Sequence, residues 1–233
     1  MRAYILIIVL LLAGCSASGP QRPTAQQQSG GDPSSSSASL EVSGDGELMA
    51  TGEPQQDTLQ EALAAEAELL DGIGGNKQAE DKYAAAIAAM RDGRDQEAET
   101  LFKAMTKEFP QLSGPHVNLG ILYFQAEKTA QARAAFEKAL ELNPDSAISF
   151  NHLGILSRID GDFNQALDHY TNALAINLKY AKAHLNMGIL LELYMGQLAP
   201  ALEHYKHYYA LSGEKDGEVY GWIVDLDRRL SRK

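Results

Sequence analysis

The chain has few of the features that would indicate a disulfide-stabilised, nucleic-acid-binding or membrane-spanning protein. Its 233 residues include one cysteine, so no internal disulfide can form and the fold depends on its hydrophobic core. It carries 31 acidic and 20 basic residues without a basic stripe, and phosphate binding requires clustered Lys and Arg. We therefore expect no nucleic-acid partner. The long apolar run at residues 4–13 is about half of the roughly 20 residues that span a bilayer.

Motifs for catalysis and cofactor binding are also missing. The glycine-rich "GIGG" at residues 72–75 lacks the Lys and Ser/Thr that complete a phosphate loop. No nucleophile is paired with a base, so we expect no enzyme activity, no catalytic residue and no cofactor. His204 and His207 lie three residues apart on a predicted helix and could offer two metal ligands. No third ligand is evident, so we interpret them as surface or packing histidines and expect no metal.

The N-terminus has the pattern of a secretory signal. Arg2 provides a short positive region, residues 4–13 provide an apolar region, and the small residues Ala13 and Gly14 follow. This pattern predicts a signal peptide over residues 1–14.

The cysteine lies directly after this signal. The sequence "LAGC" at residues 12–15 resembles the lipobox of bacterial lipoproteins. The resemblance implies that Cys15 becomes the first residue of the mature chain and carries fatty acids such as palmitate, and several acyl chains make a stable anchor. Ser16 follows where Asp would favour retention in the inner membrane, which implies an outer-membrane anchor on the periplasmic face. A plain secretory signal with an incidental cysteine, or an anchor facing the cell exterior, stays open.

A polar segment separates the anchor from the rest of the chain. Residues 15–57 are rich in Ser, Gln, Gly and Pro, and such a composition predicts a disordered tether. Its root-mean-square span is roughly 35 Å. Residues 58–71 then show helical apolar spacing with Thr58 and Glu61 in a capping box, and predict a short amphipathic helix. Residues 58–78 comprise this helix and a glycine-rich hinge, and whether the helix docks on the following region is open.

The remainder of the chain repeats itself every 34 residues. Four units are predicted, over residues 79–112, 113–146, 147–180 and 181–215. The matched positions are Ala98, Phe102 and Pro110 in the first unit; Leu119, Gly120, Tyr123, Ala132, Phe136, Ala139 and Pro144 in the second; Leu153, Gly154, Ala166, Tyr170 and Ala173 in the third; Gly188, Ala201 and Tyr205 in the fourth. The fourth unit contains one extra residue near residues 194–196. Gly at the eighth position and Ala at the twentieth let two helices approach, and aromatics fill the remaining gaps.

This pattern resembles the tetratricopeptide (TPR) family. The resemblance implies an all-α solenoid of about four helix-turn-helix repeats. Residues 216–233 carry an apolar stripe and basic residues at their end, which predicts a C-terminal capping helix. An independent membrane-surface helix is the alternative for this segment.

The resemblance also implies a concave groove lined by the first helix of each unit. In TPR proteins, asparagines at the sixth position can grip an extended peptide, and an amide can satisfy a peptide group on both sides. Apolar residues in the same row can bury a partner's side chains. The hypothetical partner-binding residues are Tyr83, Ile87, Val117, Asn118, Ile121, Phe124, Asn151, His152, Ile155, Leu185, Asn186 and Ile189.

Together these features predict a non-catalytic scaffold, anchored in the outer membrane, that binds an envelope protein or peptide. The resemblance extends to pilotin-like TPR lipoproteins and to TPR lipoproteins that act as adaptors of peptidoglycan hydrolases. It therefore implies a role in assembling a pilus, secretion or cell-wall complex. The alternatives are an accessory of a TonB/Tol-type energised complex and a lipoprotein that binds a glycan or small molecule. The sequence does not indicate the oligomeric state.

Overall fold

The computed structural model describes residues 75–232. The predicted signal peptide, tether and helix at 58–71 lie outside these residues, as does Cys15. Over the described range the chain forms helices and no strand, and the all-α prediction is confirmed there. The helices are α1 (Lys77–Arg91), α2 (Asp95–Glu108), α3 (Gly114–Gln125), α4 (Thr129–Leu142), α5 (Ala147–Ile159), α6 (Phe163–Ile176), α7 (Ala181–Ile189), α8 (Leu198–Leu211) and α9 (Gly217–Ser231).

The helices pack as successive antiparallel pairs, which makes a solenoid. The pairs are α1–α2, α3–α4, α5–α6 and α7–α8, and each pair packs against the next. The first pair begins at Lys77, two residues before the repeat unit predicted from residue 79. Helix N-termini are closed by side chains such as Asn76, Ser146 and Asp162, which accept hydrogen bonds from backbone N–H groups in the first turn.

The two helices of a pair meet where a glycine faces an aromatic ring. A Cβ atom built on Gly120 would lie 2.6 Å from the ring of Phe136, and one on Gly154 would lie 2.5 Å from Tyr170. Gly188 faces Tyr205 in the same way, at 2.6 Å. All three rings are fully buried. Any side chain at these glycines would therefore overlap a ring that has little room to move.

The extra residue of the fourth unit is absorbed inside its first helix. After Ile189 the helix continues through a π-helical turn, Leu190–Tyr194. Here the Met195 N–H donates to the Leu190 carbonyl oxygen, five residues earlier, at 3.2 Å. A π-turn adds one residue without ending the helix, which explains why the glycine–aromatic contact persists beyond the insertion.

The last helix closes the open end of the solenoid. Val219, Trp222 and Leu226 of α9 are buried against α8. The Trp222 ring meets Tyr205 edge to face at 5.4 Å. Asp216 caps α9 by accepting hydrogen bonds from the first-turn backbone. The apolar stripe of residues 216–233 is therefore buried against α8.

Candidate functional site

The predicted groove residues lie on the first helices of the four pairs, α1, α3, α5 and α7 with its π-helical turn. Three of them are half-buried: Phe124, Ile155 and Asn186. The other nine are buried: Tyr83, Ile87, Val117, Asn118, Ile121, Asn151, His152, Leu185 and Ile189. In the part of the chain that the structure describes, each helix packs against helices adjacent in the solenoid, and no helix forms a layer across this inner face.

Polar side chains link successive units along the inner face. The Asn118 amide nitrogen donates to the Tyr83 hydroxyl at 2.6 Å and to the Gly114 carbonyl oxygen at 3.0 Å. Two units later, the Asn186 amide nitrogen donates to the Asn151 amide oxygen at 3.0 Å. Both links between units join residues 35 apart, the sixth position of one unit and the fifth of the unit before it. The predicted peptide-gripping amides therefore use donors to hold the solenoid together.

His152 occupies the same position in the third unit and packs between aromatic rings. Its imidazole stacks on Phe136 at 4.8 Å between ring centres and meets Phe124 edge to face at 5.3 Å. Phe124 is half-buried, so this aromatic group reaches from the core to the inner surface. Such a group offers apolar contact area at low entropic cost, because each ring is held by its neighbours.

The far end of the inner face contains charged groups. Arg158 lies on α5, with its guanidinium carbon 5.8 Å from the centre of the Tyr194 ring. Glu192 is buried and accepts hydrogen bonds from Arg229 of α9 at 2.9 Å and from the Tyr205 hydroxyl at 3.2 Å. The Glu192 charge is thus neutralised by the capping helix, and Arg158 provides positive charge on this part of the inner face.

Three histidines meet between α7 and α8. The His184 and His204 Nδ1 atoms are 3.0 Å apart, and the His207 ring centre is 4.9 Å from that of His184. His184 Nε2 donates to the Leu178 carbonyl oxygen at 3.0 Å. When His184 is neutral, its Nδ1 therefore carries no proton and accepts a hydrogen bond from His204 Nδ1. Burial, with the neighbouring histidines, lowers the pKa of His204 to about 4. Within residues 75–232 no group of three His, Cys, Asp or Glu is arranged to hold a metal.

A separate cleft of about 340 Å³ lies on the outer layer of helices. It is lined by one face of α4, including Arg133 and Glu137, and by Asp160. Arg133 donates to Asp160 across it at 2.6 Å. The cleft is therefore spanned by its own ion pair, and it does not involve the inner-face residues. No described helix has the length and apolarity needed to cross a membrane.

Comparison with protein families and solved structures identifies the fold. A tetratricopeptide repeat model matches residues 115–146, which cover the α3–α4 pair except for its first residue, Gly114. The chain folds as a TPR solenoid. A model described as the Est1 DNA/RNA binding domain also matches, over residues 132–200.

Solved TPR-like structures share this architecture at low sequence identity. PilF of Pseudomonas aeruginosa is 16% identical with a TM-score of 0.59, over 67% of this chain and 71% of PilF. A TPR protein of Thermus thermophilus, TTC0263, is 19% identical with a TM-score of 0.54, over 74% of this chain and 98% of TTC0263. MamA of Desulfovibrio magneticus RS-1 is 18% identical with a TM-score of 0.52, over 65% of this chain and 96% of the MamA chain. At these identities the similarity shows the fold alone.

Sequence reasoning missed the polar links between units and the Glu192–Arg229 pair. The first could have been found from the spacing, because Tyr83 and Asn118, like Asn151 and Asn186, lie 35 residues apart. The second had no such signal, since Arg229 lies beyond the repeats and reaches back to a π-helical turn that the 34-residue pattern does not contain.

Proposed function

We propose that the protein is a non-catalytic scaffold that binds a partner protein or peptide through the inner face of its TPR solenoid. The observation that supports this most is the row of isoleucines at the ninth position of every unit: Ile87, Ile121, Ile155 and Ile189. Ile155 and Phe124 are half-buried and the other three isoleucines are buried in the same row, so the inner face offers apolar area that suits the burial of a partner's side chains. TPR proteins are generally non-catalytic scaffolds, and the fold is consistent with that role.

We further propose that this scaffold is held at the outer membrane, on the periplasmic side. Its basis is the lipobox-like sequence at residues 12–15, with Ser16 after the cysteine. Acyl chains on Cys15 would hold the chain at the membrane, and residues 16–57 would let the solenoid search within roughly 35 Å for its partner. The partner is an envelope protein, and the process is assembly of a pilus, secretion or cell-wall complex.

Nucleic-acid binding is not proposed, although one matched family model is described as a DNA/RNA binding domain. Residues 132–200, which that model matches, contain five Lys or Arg and seven Asp or Glu. A surface of this charge would repel a phosphate backbone, since affinity for it comes from neutralising phosphates with clustered bases.

Site-specific crosslinking in intact cells tests the binding surface. A photo-crosslinking residue at Ile155, which is half-buried on the inner face, should capture an envelope protein that mass spectrometry can identify. The matched control is Thr171, which is exposed on the outer helix α6. The same adduct from both positions would exclude specific binding at the inner face.

The anchor is tested separately. Cys15→Ser should abolish incorporation of labelled fatty acid and release the protein from the outer-membrane fraction. Retention of both label and membrane association would show that Cys15 is not the acylated residue.

A further inference from the structure

The inner face of the solenoid carries an apolar row that continues through all four units. Val117, Ile121, Leu185 and Ile189 expose 0%, 1%, 5% and 8% of their surface. Two further members of this face, Phe124 and Ile155, are only half-buried. The described helices contact adjacent helices of the solenoid and do not cross this face. The half-buried members leave apolar area on this face that a further helix could cover.

The chain itself contains a segment with the right length and position. Residues 58–71 lie five residues before α1, and their spacing predicts an amphipathic helix with Leu59, Leu63 and Leu70 on one side. Fourteen helical residues are about 21 Å long. First helices of successive units lie about 10 Å apart, so this length crosses three of them. The six residues from 71 to Lys77 reach at most about 20 Å, which is enough to place the segment over the inner face.

The charges of the segment and the inner face are complementary. Residues 58–71 contain four acidic residues and no basic one. On the inner face, Arg158 has a buried Nε atom that finds no hydrogen-bond acceptor among the described residues. Glu192, the buried acid of the π-helical turn, is already paired with Arg229. An acidic helix would supply acceptors for Arg158 without meeting an uncompensated acid.

We propose that residues 58–71 dock as a helix in the groove of their own solenoid. The leucine side covers the isoleucine row, and Glu66, which lies seven residues after Leu59 on the same side of the helix, meets Arg158. A consequence, which rests on the proposed function, is that an external partner must displace this segment to bind. Since the same chain continues through the tether to the membrane anchor, displacement would also lengthen the flexible connection between anchor and solenoid.

Disulfide trapping in the full chain tests the docking without any partner. Cys15→Ser removes the native thiol, and Leu63→Cys is combined with Ile155→Cys or, as the matched control, with Thr171→Cys on exposed α6. Docking predicts intramolecular disulfide formation on the order of ten-fold faster for the Ile155 pair, since a flexible linker alone gives only a millimolar effective concentration. Equal rates for the two pairs would overturn the proposal, and disulfide-linked dimers that increase with protein concentration would assign the groove to a second copy.

The charge contact has its own test in the same trapping assay. Arg158→Glu should slow disulfide formation for the Ile155 pair severalfold, and Arg158→Lys should slow it less. If Arg158→Glu traps as fast as the parent, Glu66 does not face Arg158 and the proposed orientation is wrong. Failure of these experiments leaves partner capture at Ile155 unaffected, whereas failure of partner capture leaves the trapping result standing, so the two proposals are distinguishable.

Discussion

Replacing Gly154 by Ala tests whether close approach of the paired helices holds each unit together. The added methyl group would lie 2.5 Å from Cε1 and 2.6 Å from Cδ1 of Tyr170, whose ring is fully buried. Overpacking of this kind costs about 1–3 kcal/mol, and the upper end applies because a planar ring cannot fold away from the contact.

An opposing gain must be subtracted. Alanine favours a helix over glycine by about 1 kcal/mol. The expected net loss for Gly154→Ala is about 2 kcal/mol in the free energy of unfolding, because the steric cost of about 3 kcal/mol exceeds that gain. For a domain of this size, a loss of about 2 kcal/mol lowers Tm by about 4–8 °C. Urea and thermal unfolding followed by circular dichroism measure both quantities.

A matched control is available in α9. Gly221 also lies inside a helix, but a Cβ there meets nothing within 4 Å. Gly221→Ala should therefore stabilise the protein by up to about 1 kcal/mol. Gly154→Ala should lower the free energy of unfolding less in a Tyr170→Leu variant than in the native chain, because the ring that the new methyl group would overlap is absent from that variant. If Gly154→Ala is as stable as Gly221→Ala, the ring contact does not explain the glycine.

Three further outcomes are expected. The low pKa of His204, about 4 against an ordinary 6.5, favours its neutral form in the folded state, so its contribution to stability is complete above pH 6.5 and is lost as pH falls toward 4. Because the ring is partly exposed, we expect a loss of only about 1–2 kcal/mol, and His204→Gln should reduce the drop in urea midpoint between pH 7.5 and 5. Arg229→Met should lower the free energy of unfolding by about 1.5–3 kcal/mol, because it removes a charged hydrogen bond to buried Glu192. Amide hydrogen exchange in α9 should then be faster than in the native chain, and unchanged exchange would contradict a role of Arg229 in holding α9 in place. Asn118→Ala should lower the free energy of unfolding by about 1–3 kcal/mol, because its amide bonds to Tyr83 inside the fold, and an unchanged Tm would show that the amide is free for a partner.

The fold follows from the sequence because its determinants recur at fixed spacing. Gly120 and Phe136, and likewise Gly154 and Tyr170, appear in the sequence as small and aromatic positions of a repeat, and in the structure they touch. The one-residue insertion in the fourth unit was visible too. How it is accommodated was not, because a π-turn within the helix and a longer loop after it fit the same sequence.

The candidate site was less predictable than the fold. The repeat assigns the residues to the first helix of each unit, where the structure has them, but it does not indicate how far each is buried, because that depends on neighbours one unit away. Asn118 and Asn186 illustrate this: their sixth-position placement suggested peptide binding, and their amide nitrogens donate to the preceding unit. Whether the twelve inner-face residues contact a partner stays a prediction.

The polar links determine which positions can test binding cleanly. Stability in a solenoid is a sum of repeat and neighbour-interface terms, so a hydrogen bond between units belongs to the interface term. A substitution at Asn118 or Asn186 therefore changes both the inner surface and the coupling of adjacent units, and lost partner binding could follow from either. Ile155 is half-buried at the ninth position and its side chain makes no such hydrogen bond, so changing it alters the surface with less effect on the solenoid. Partner affinity and unfolding free energy should therefore be measured for substitutions at Ile155 and at Asn186. A loss of affinity at Ile155 without a loss of stability would show direct contact with the partner, whereas a loss of both at Asn186 would show an effect through the coupling of adjacent units.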